Sequence, residues 1–97
     1  IVTISLKTHH RADFQRFELC IQRVNEIVEC SATGGGVDYV MKVMTASLND
    51  FQNLMEDLLN KEIGIERYTI FVLTREVKST TPNLSKLLGD IKNSVAI

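Results

Sequence analysis

The spacing of apolar residues changes between two periods along the chain, and the order of these changes constrains the fold more than any other feature. Val2, Ile4 and Leu6 alternate with polar residues, as in a half-buried strand. From Phe14 to Val24 the apolar residues recur every third or fourth position. This second period predicts an amphipathic helix over about residues 11–25.

Two further strands and a second helix are predicted around a glycine-rich turn. β-Rich segments at 27–33 and 37–45 flank three consecutive glycines, Gly34 to Gly36, which predicts a hairpin whose backbone needs positive φ. A second helix is predicted from Ser47, whose hydroxyl can cap it. Gly64 stands where the left-handed residue after that helix is expected.

A last strand is predicted over residues 67–78, which completes the order βαββαβ. Right-handed crossovers place both helices on one face of a four-stranded antiparallel sheet. The predicted fold class is therefore α+β with the ferredoxin-like arrangement. We expect one domain over residues 1–82 and a C-terminal tail over 83–97, in which Leu84, Leu87 and Leu88 have the spacing of a short helix.

The second face of the predicted sheet is unusually apolar. A sheet covered by helices on one side ordinarily presents polar residues on the other. Here Val40 and Met44 in the third strand, and Phe71 and Leu73 in the fourth, make that face apolar. Such a patch favours a homodimer formed through the sheet. The alternative is that the tail and long side chains of the same chain cover it.

Composition argues against several functions. The net charge of −1 provides no basic surface for nucleic acid, so DNA binding would require a segment outside this chain. No apolar run approaches the ~20 residues of a membrane span. Cys20 and Cys30 lack metal-ligand spacing and are expected to be free, buried thiols in a reducing cytosol, and His9 and His10 to be solvent-exposed. No metal, cofactor or catalytic constellation is predicted.

The stretch 29–43, with its Glu-Cys pair, glycine turn and Asp-Tyr followed by an apolar-Lys-Val strand, resembles the C-terminal effector domain, or RAM domain, of the Lrp/AsnC (feast/famine) transcription regulators. The resemblance continues through the second helix at 48–59, through Ile63-Gly64-Ile65 and through Val77-Lys78, and covers roughly residues 1–82. The family's usual Pro is replaced by Ile63, and three glycines stand where one is common.

The resemblance implies a domain that dimerises through its sheet, associates into an octamer-like ring and binds an amino acid near the turn. Consecutive glycines can present backbone N–H groups to a carboxylate. Asp38 can accept an ammonium, Tyr39 can form a wall, and the Thr69 hydroxyl can donate to a carboxylate. The predicted effector-binding residues are Thr33, Gly34, Gly35, Gly36, Val37, Asp38, Tyr39, Tyr68, Thr69 and Ile70. The alternative is a plain hairpin whose Asp38 bonds nearby backbone.

We therefore expect the amino-acid-sensing and oligomerisation domain of a cytoplasmic transcriptional regulator, not an enzyme. The N-terminal helix-turn-helix of such regulators is absent from this chain, as in a truncated or a stand-alone domain. Two alternatives remain open. One is an assembly module without a ligand, and the other is a small dimeric ferredoxin-like enzyme, which would need a polar cavity between sheet and helices.

Overall fold

The computed structural model describes residues 1–79, and the predicted tail over 83–97 lies outside them. The predicted order of elements is confirmed. The elements are β1 (Val2–Leu6), α1 (Arg11–Gln22), β2 (Ile27–Ala32), β3 (Tyr39–Val43), α2 (Leu48–Asn60) and β4 (Ile65–Ile70).

The four strands form one antiparallel sheet in the order β2-β3-β1-β4. β1 lies in the middle and pairs with β3 on one side and β4 on the other. Ile4 is opposite both Tyr39 and Tyr68, while Thr3 is opposite both Val40 and Thr69. Since paired residues share a face, these two rows define the two sides of the sheet. This is the ferredoxin-like arrangement predicted from the sequence.

The core lies between the sheet and both helices. Val2, Ile4 and Leu6 are at most 1% exposed. They pack with Phe17 of α1 and Leu58 of α2, both fully buried. Burial of one such side chain contributes about 1.5–3 kcal/mol. The alternation in β1 therefore fixes which side of the sheet carries the helices, and the central strand becomes a rigid support for its neighbours.

The ends of α2 show one confirmed prediction and one wrong one. Ser47 caps the helix as expected, its Oγ accepting from the N–H of Asp50 at 3.1 Å. At the other end the first left-handed residue is Glu62 (φ 52°), directly after the C-cap Lys61. Gly64 also has positive φ (86°), but it lies at the entry to β4, where its carbonyl accepts from the Lys7 N–H.

The last strand begins and ends earlier than predicted, at Ile65–Ile70 instead of 67–78. Ile1 and Phe71 exchange two hydrogen bonds of 2.9 and 2.7 Å between their N–H and C=O groups. The β-favouring residues 72–78 that follow this pair lie in no strand of the described structure. Similarly α1 ends at Gln22, three residues before the predicted end, with Arg23 as its C-cap.

Candidate functional site

The β2–β3 turn is closed by its own backbone and tied to the central strand. The Thr33 N–H donates to the Asp38 carbonyl at 3.0 Å, and the Thr33 hydroxyl donates to the Val37 carbonyl. The Asp38 N–H then donates to the Ile4 carbonyl at 2.8 Å, which continues the ladder between β3 and β1. Residues 34–37 are therefore the part of the hairpin that is free to meet a ligand.

The three glycines stand clear of the rest of the described chain. A Cβ built at Gly34, Gly35 or Gly36 would meet no atom within 4 Å. Only Gly35 has positive φ, at 129°, so the sequence prediction of a positive-φ turn applies to one of the three. Within residues 1–79, none of the three glycine N–H groups donates a hydrogen bond. The turn thus presents unused donors at its tip.

Asp38 is held by two donors on one of its oxygens. Oδ2 accepts from the Leu6 N–H at 2.7 Å and lies 2.9 Å from His9 Nε2. The hydrogen bond from Leu6, with a smaller contribution from His9, holds the pKa of Asp38 below its usual range, against the opposing effect of desolvation. In the described part of the chain Oδ1 has no hydrogen-bond partner. Asp38 therefore anchors the hairpin, as the plain-hairpin alternative expects, and keeps one carboxylate oxygen for another group.

Tyr39 is placed in the core and not on the open side of the turn. It is 3% exposed, and its ring stacks on Phe17 with centroids 4.5 Å apart. Its hydroxyl donates to Glu18 Oε2 at 2.6 Å. Burial, and then the Glu18 carboxylate, raise the pKa of Tyr39 well above its ordinary value. Within this one subunit Tyr39 packs beneath α1 and does not form a wall beside the glycines.

The predicted residues of β4 do not share one face of the sheet. Tyr68 lies on the helix side, since it is in the row of Ile4 and Tyr39, and Ile70 follows on that side opposite Val2. Thr69 points to the opposite side with Thr3. β4 is separated from β3 by β1, a distance of about 10 Å between the outer strands. One ligand at the turn can therefore not contact all three of these residues in a single subunit.

Three of the four apolar residues predicted for the second sheet face are exposed. Val40 is half-buried and points away from the helices with Thr3. Met44 and Phe71 are 61% and 54% exposed, and Leu73 is similarly open. Contrary to the sequence prediction, Met44 lies just beyond the end of β3, and Phe71 and Leu73 lie beyond the end of β4. These three residues extend the patch without belonging to a strand. The described chain leaves the patch uncovered.

Other cavities lie away from the turn. An open groove of about 620 Å³ runs between the end of β3 and α2 and is lined by Glu26, Asp50 and Asp57 among others. A second cleft of about 470 Å³ lies at the end of the sheet, between Phe51 and the segment 70–73. Neither includes a residue of the glycine turn. Among residues 1–79 no three His, Cys, Asp or Glu side chains are grouped as metal ligands.

The contact of His9 with Asp38 was not predicted from the sequence, and the prediction that both thiols are buried was wrong. The two cysteines are free, as predicted, but Cys20 is only half-buried and Cys30 is exposed. His9 is exposed as expected but lies against the carboxylate of a residue 29 positions away. No local pattern signals such a pair, because only the pairing of β1 with β3 brings the two segments together.

The sequence of residues 1–83 matches the family described as the Lrp/AsnC ligand binding domain. The chain belongs to the Lrp/AsnC family. It is 38% identical over 84 residues to the transcriptional regulatory protein DoeX of Halomonas elongata, which is 87% of this chain and 53% of that protein. It is 31% identical over 80 residues to the leucine-responsive regulatory protein of Haemophilus influenzae, which is 82% of this chain and 48% of that protein.

Two solved structures share the fold of this Lrp/AsnC domain. An AsnC family transcriptional regulator from Agrobacterium tumefaciens has a TM-score of 0.77 at 22% identity, over 89% of this chain and 56% of that one. A transcriptional regulator from Neisseria meningitidis, solved as a complex with L-Met, gives the same four values. The chain spans about half the length of the curated relatives that it matches. In residues 1–79 neither helix has the length and apolar character to cross a membrane.

Proposed function

We propose that this Lrp/AsnC ligand-binding domain senses a free amino acid at the β2–β3 turn, and that a neighbouring subunit completes the site. The observation that carries the proposal is the state of the turn itself: three glycine N–H groups without partners in the described chain stand beside a carboxylate with one free oxygen. The structurally similar Neisseria meningitidis regulator was solved with L-Met, which favours an amino acid as the effector class.

The chemistry of an amino acid matches the two ends of this turn. Its carboxylate needs several donors in close proximity, and the N–H groups of Gly34, Gly35 and Gly36 supply them. Its ammonium needs an anionic acceptor, and Asp38 Oδ1 supplies one. Val37 borders the two groups, and the Thr33 hydroxyl holds the turn closed by donating to its carbonyl.

A neighbouring subunit is needed because the turn has no walls of its own. A Cβ would meet open space at all three glycines, and none of the cavities described above includes the turn. An amino acid held only at a hairpin tip would keep most of its side chain in water, whereas ligand sites bury most of the ligand surface. In this proposal Tyr68, Thr69 and Ile70 contribute to the pocket from a second copy, whose β4 is not separated from this turn by the width of β1. Because β4 is an edge strand, a ligand beside its open edge can approach residues of both faces.

The exposed apolar patch supports assembly of such copies. Val40, Met44, Phe71 and Leu73 offer a sheet face on which a second copy buries apolar side chains. We propose a homodimer through this face and association of dimers into an octamer-like ring, with the turns at the contacts between dimers. Substituting Met44→Glu would place a charge in the sheet contact, and we expect dimers to dissociate in sedimentation velocity.

The longer protein is proposed to be a cytoplasmic transcription regulator that contacts DNA through an N-terminal helix-turn-helix. The named relatives are regulatory proteins, and the segment that matches this chain makes up about half of their length. The net charge of −1 provides this domain with no basic surface of its own. In the longer protein the domain would therefore serve sensing and assembly, and DNA contact would come from another segment.

The alternative of a small ferredoxin-like enzyme needs a polar cavity between sheet and helices. In the described residues the interior contains no buried polar or charged side chain apart from the Tyr39 hydroxyl. The relatives reported above are named as regulatory proteins. Both observations favour a binding domain.

Isothermal titration calorimetry of the assembled protein with each standard amino acid, beginning with L-methionine and L-leucine, tests the proposal. Asp38→Asn is the sharpest variant, because the amide oxygen can still accept from the Leu6 N–H while the charge is lost. We expect affinity to fall about tenfold or more, as for loss of a charged hydrogen-bond partner. Gly36 does not have a positive φ and a Cβ there meets open space, so Gly36→Ala should fold normally. Its methyl group would stand beside the N–H groups proposed to bind the carboxylate, so this variant should also bind weakly.

The matched control is Gln52→Ala on the exposed side of α2, which should bind like the wild type. If no amino acid binds while the oligomer remains intact, the domain is an assembly module and the proposal is wrong. Normal binding by both Asp38→Asn and Gly36→Ala would show that the effector binds elsewhere.

A further inference from the structure

His9 follows β1 in the loop before α1 and reaches across to the turn. Its Nε2 lies 2.9 Å from Asp38 Oδ2, and its ring packs against Phe14 with centroids 5.8 Å apart. Oδ2 also accepts from the Leu6 N–H. The carboxylate is therefore clamped on one oxygen by a backbone donor and an imidazole, and this directs the other oxygen, Oδ1, away from both.

We propose that His9 is a positioning residue whose protonation makes amino-acid binding at the turn pH-dependent. The inference rests on the proposed function, because it assumes that Asp38 receives the ammonium. A neutral imidazole with its proton on Nε2 and a charged imidazolium both donate to Oδ2. The hydrogen bond, and with it the orientation of the carboxylate, persists while the charge next to Asp38 changes by one unit.

The groups around the pair make His9 the one that switches. Histidine is the only side-chain type that ordinarily titrates between about pH 5 and 8. The lowered pKa of Asp38 keeps it ionised in that window, and the raised pKa values of Cys30 and Tyr39 keep these groups from the neighbouring strands β2 and β3 neutral. Glu18 of α1 is already engaged by the Tyr39 hydroxyl.

The charged groups nearest the pair in the loop and in α1 are held in other contacts or lie beside it in the chain. Glu66 and Arg67 are at the same end of the sheet, at the start of β4, with Arg67 opposite Ser5. Asp13 of α1 accepts from Thr8 and from Arg16, and these bonds, together with one from the His10 N–H, lower its pKa. Lys7 precedes His9 in the chain and follows β1 directly. His10 is the second imidazole of the tandem, but no contact joins its side chain to Asp38 in the described structure.

The direction of the effect follows from these charges. While the His9 imidazole is neutral, Asp38 carries an uncompensated negative charge that attracts the ammonium of the effector. When the imidazole is protonated, the imidazolium neutralises that charge and affinity falls. Since His9 is 57% exposed, solvent limits the effect to about two- to fivefold in affinity.

Calorimetry with L-methionine, L-leucine and any other standard amino acid that binds, at about pH 5.5 and about pH 7.0, tests the inference. The wild type should bind more weakly at the lower pH. His9→Gln retains an N–H donor for Oδ2 without a titrating charge, and should bind equally at both pH values. His10→Gln removes the adjacent imidazole and should keep the wild-type pH dependence, which makes it the matched control.

Circular dichroism and sedimentation velocity should show both variants folded and assembled as the wild type. Binding by the wild type that does not change with pH, or a pH dependence that survives in His9→Gln, would overturn this inference and leave the proposed function standing. Loss of the pH dependence in His10→Gln alone would also overturn it. Absence of amino-acid binding at either pH would overturn the proposed function together with the inference.

Discussion

Replacing Tyr39 by Phe separates a core role for this residue from a role as a wall of the ligand site. The substitution removes one hydroxyl and keeps the ring that stacks on Phe17 at 4.5 Å. A hydrogen bond to a charged group contributes about 1.5–3 kcal/mol. Because Glu18 is exposed and its carboxylate is rehydrated when the hydroxyl is lost, we expect a cost of about 1 kcal/mol, near the range for exposed charged pairs.

The stability difference between the wild type and Tyr39→Phe should depend on pH, and its direction follows from the raised pKa of Tyr39. The folded state raises the pKa of Tyr39, so stability from the neutral phenol is complete below the unfolded value of about 10. It is lost as the pH rises above that value, by up to about 1.4 kcal/mol per pH unit. Tyr39→Phe has no such loss. The stability advantage of the wild type over Tyr39→Phe should therefore shrink above about pH 10 and disappear within about one further unit.

Urea unfolding followed by circular dichroism, at matched protein concentration and at several pH values, measures both effects. Matched concentration is needed because assembly adds to the apparent stability. Calorimetry on the same variant should give amino-acid affinity equal to that of the wild type. Unchanged stability together with a large loss of affinity would refute the argument and return Tyr39 to the ligand site.

Three further predictions concern the turn, the second helix and acid stability. Gly35→Ala should lower the free energy of unfolding by about 1–3 kcal/mol, because φ of 129° is strained for alanine, whereas Gly34→Ala should change it by less than about 0.5 kcal/mol; equal effects in urea melts would argue against this turn geometry. Ser47→Ala should cost about 1 kcal/mol and Ser47→Asp should restore it; a neutral Ser47→Ala in thermal melts would show that the cap is not formed. The lowered pKa of Asp38 stabilises the fold above about pH 4, and this stability is lost as the pH falls through the lowered value. The difference in free energy of unfolding between the wild type and Asp38→Asn should therefore become smaller in acid. A difference that stays constant down to about pH 2 would contradict the hydrogen bonds to Oδ2.

Regular elements were predictable where one residue pattern decides them. The alternation of Val2, Ile4 and Leu6 identified the buried side of β1, and the spacing of Phe17 and Ile21 identified the buried side of α1. These predictions succeed because burial of apolar surface is the largest favourable contribution to folding, and each helix or strand shows its own periodicity in the sequence.

Predictions failed where the outcome depends on a partner in space. Residues 71–78 favour a strand, yet β4 ends at Ile70, and no strand of the described structure pairs with the residues beyond Phe71. Tyr39 follows the turn and looked available to a ligand, but its place opposite Ile4 directs it under α1 onto Phe17.

The candidate site shows the same division between local chemistry and long-range geometry. The glycines and Asp38 could be proposed from the sequence because they stand together in one short segment, where consecutive glycines offer backbone N–H groups and the next acidic residue offers a carboxylate. His9 was not, since its contact with Asp38 exists only through the pairing of β1 with β3. Neither the sequence nor the structure of one subunit identifies the walls of the site, because they are proposed to come from another copy of the chain.

A crystal structure of the assembled domain with a bound amino acid, selected from the calorimetric panel, tests the central claim most directly. We predict that the amino-acid carboxylate lies within hydrogen-bond distance of the Gly34, Gly35 and Gly36 N–H groups, that its ammonium contacts Asp38, and that a neighbouring subunit encloses its side chain. An amino acid bound instead in the groove lined by Glu26, Asp50 and Asp57, or enclosed by one subunit alone, would contradict the account.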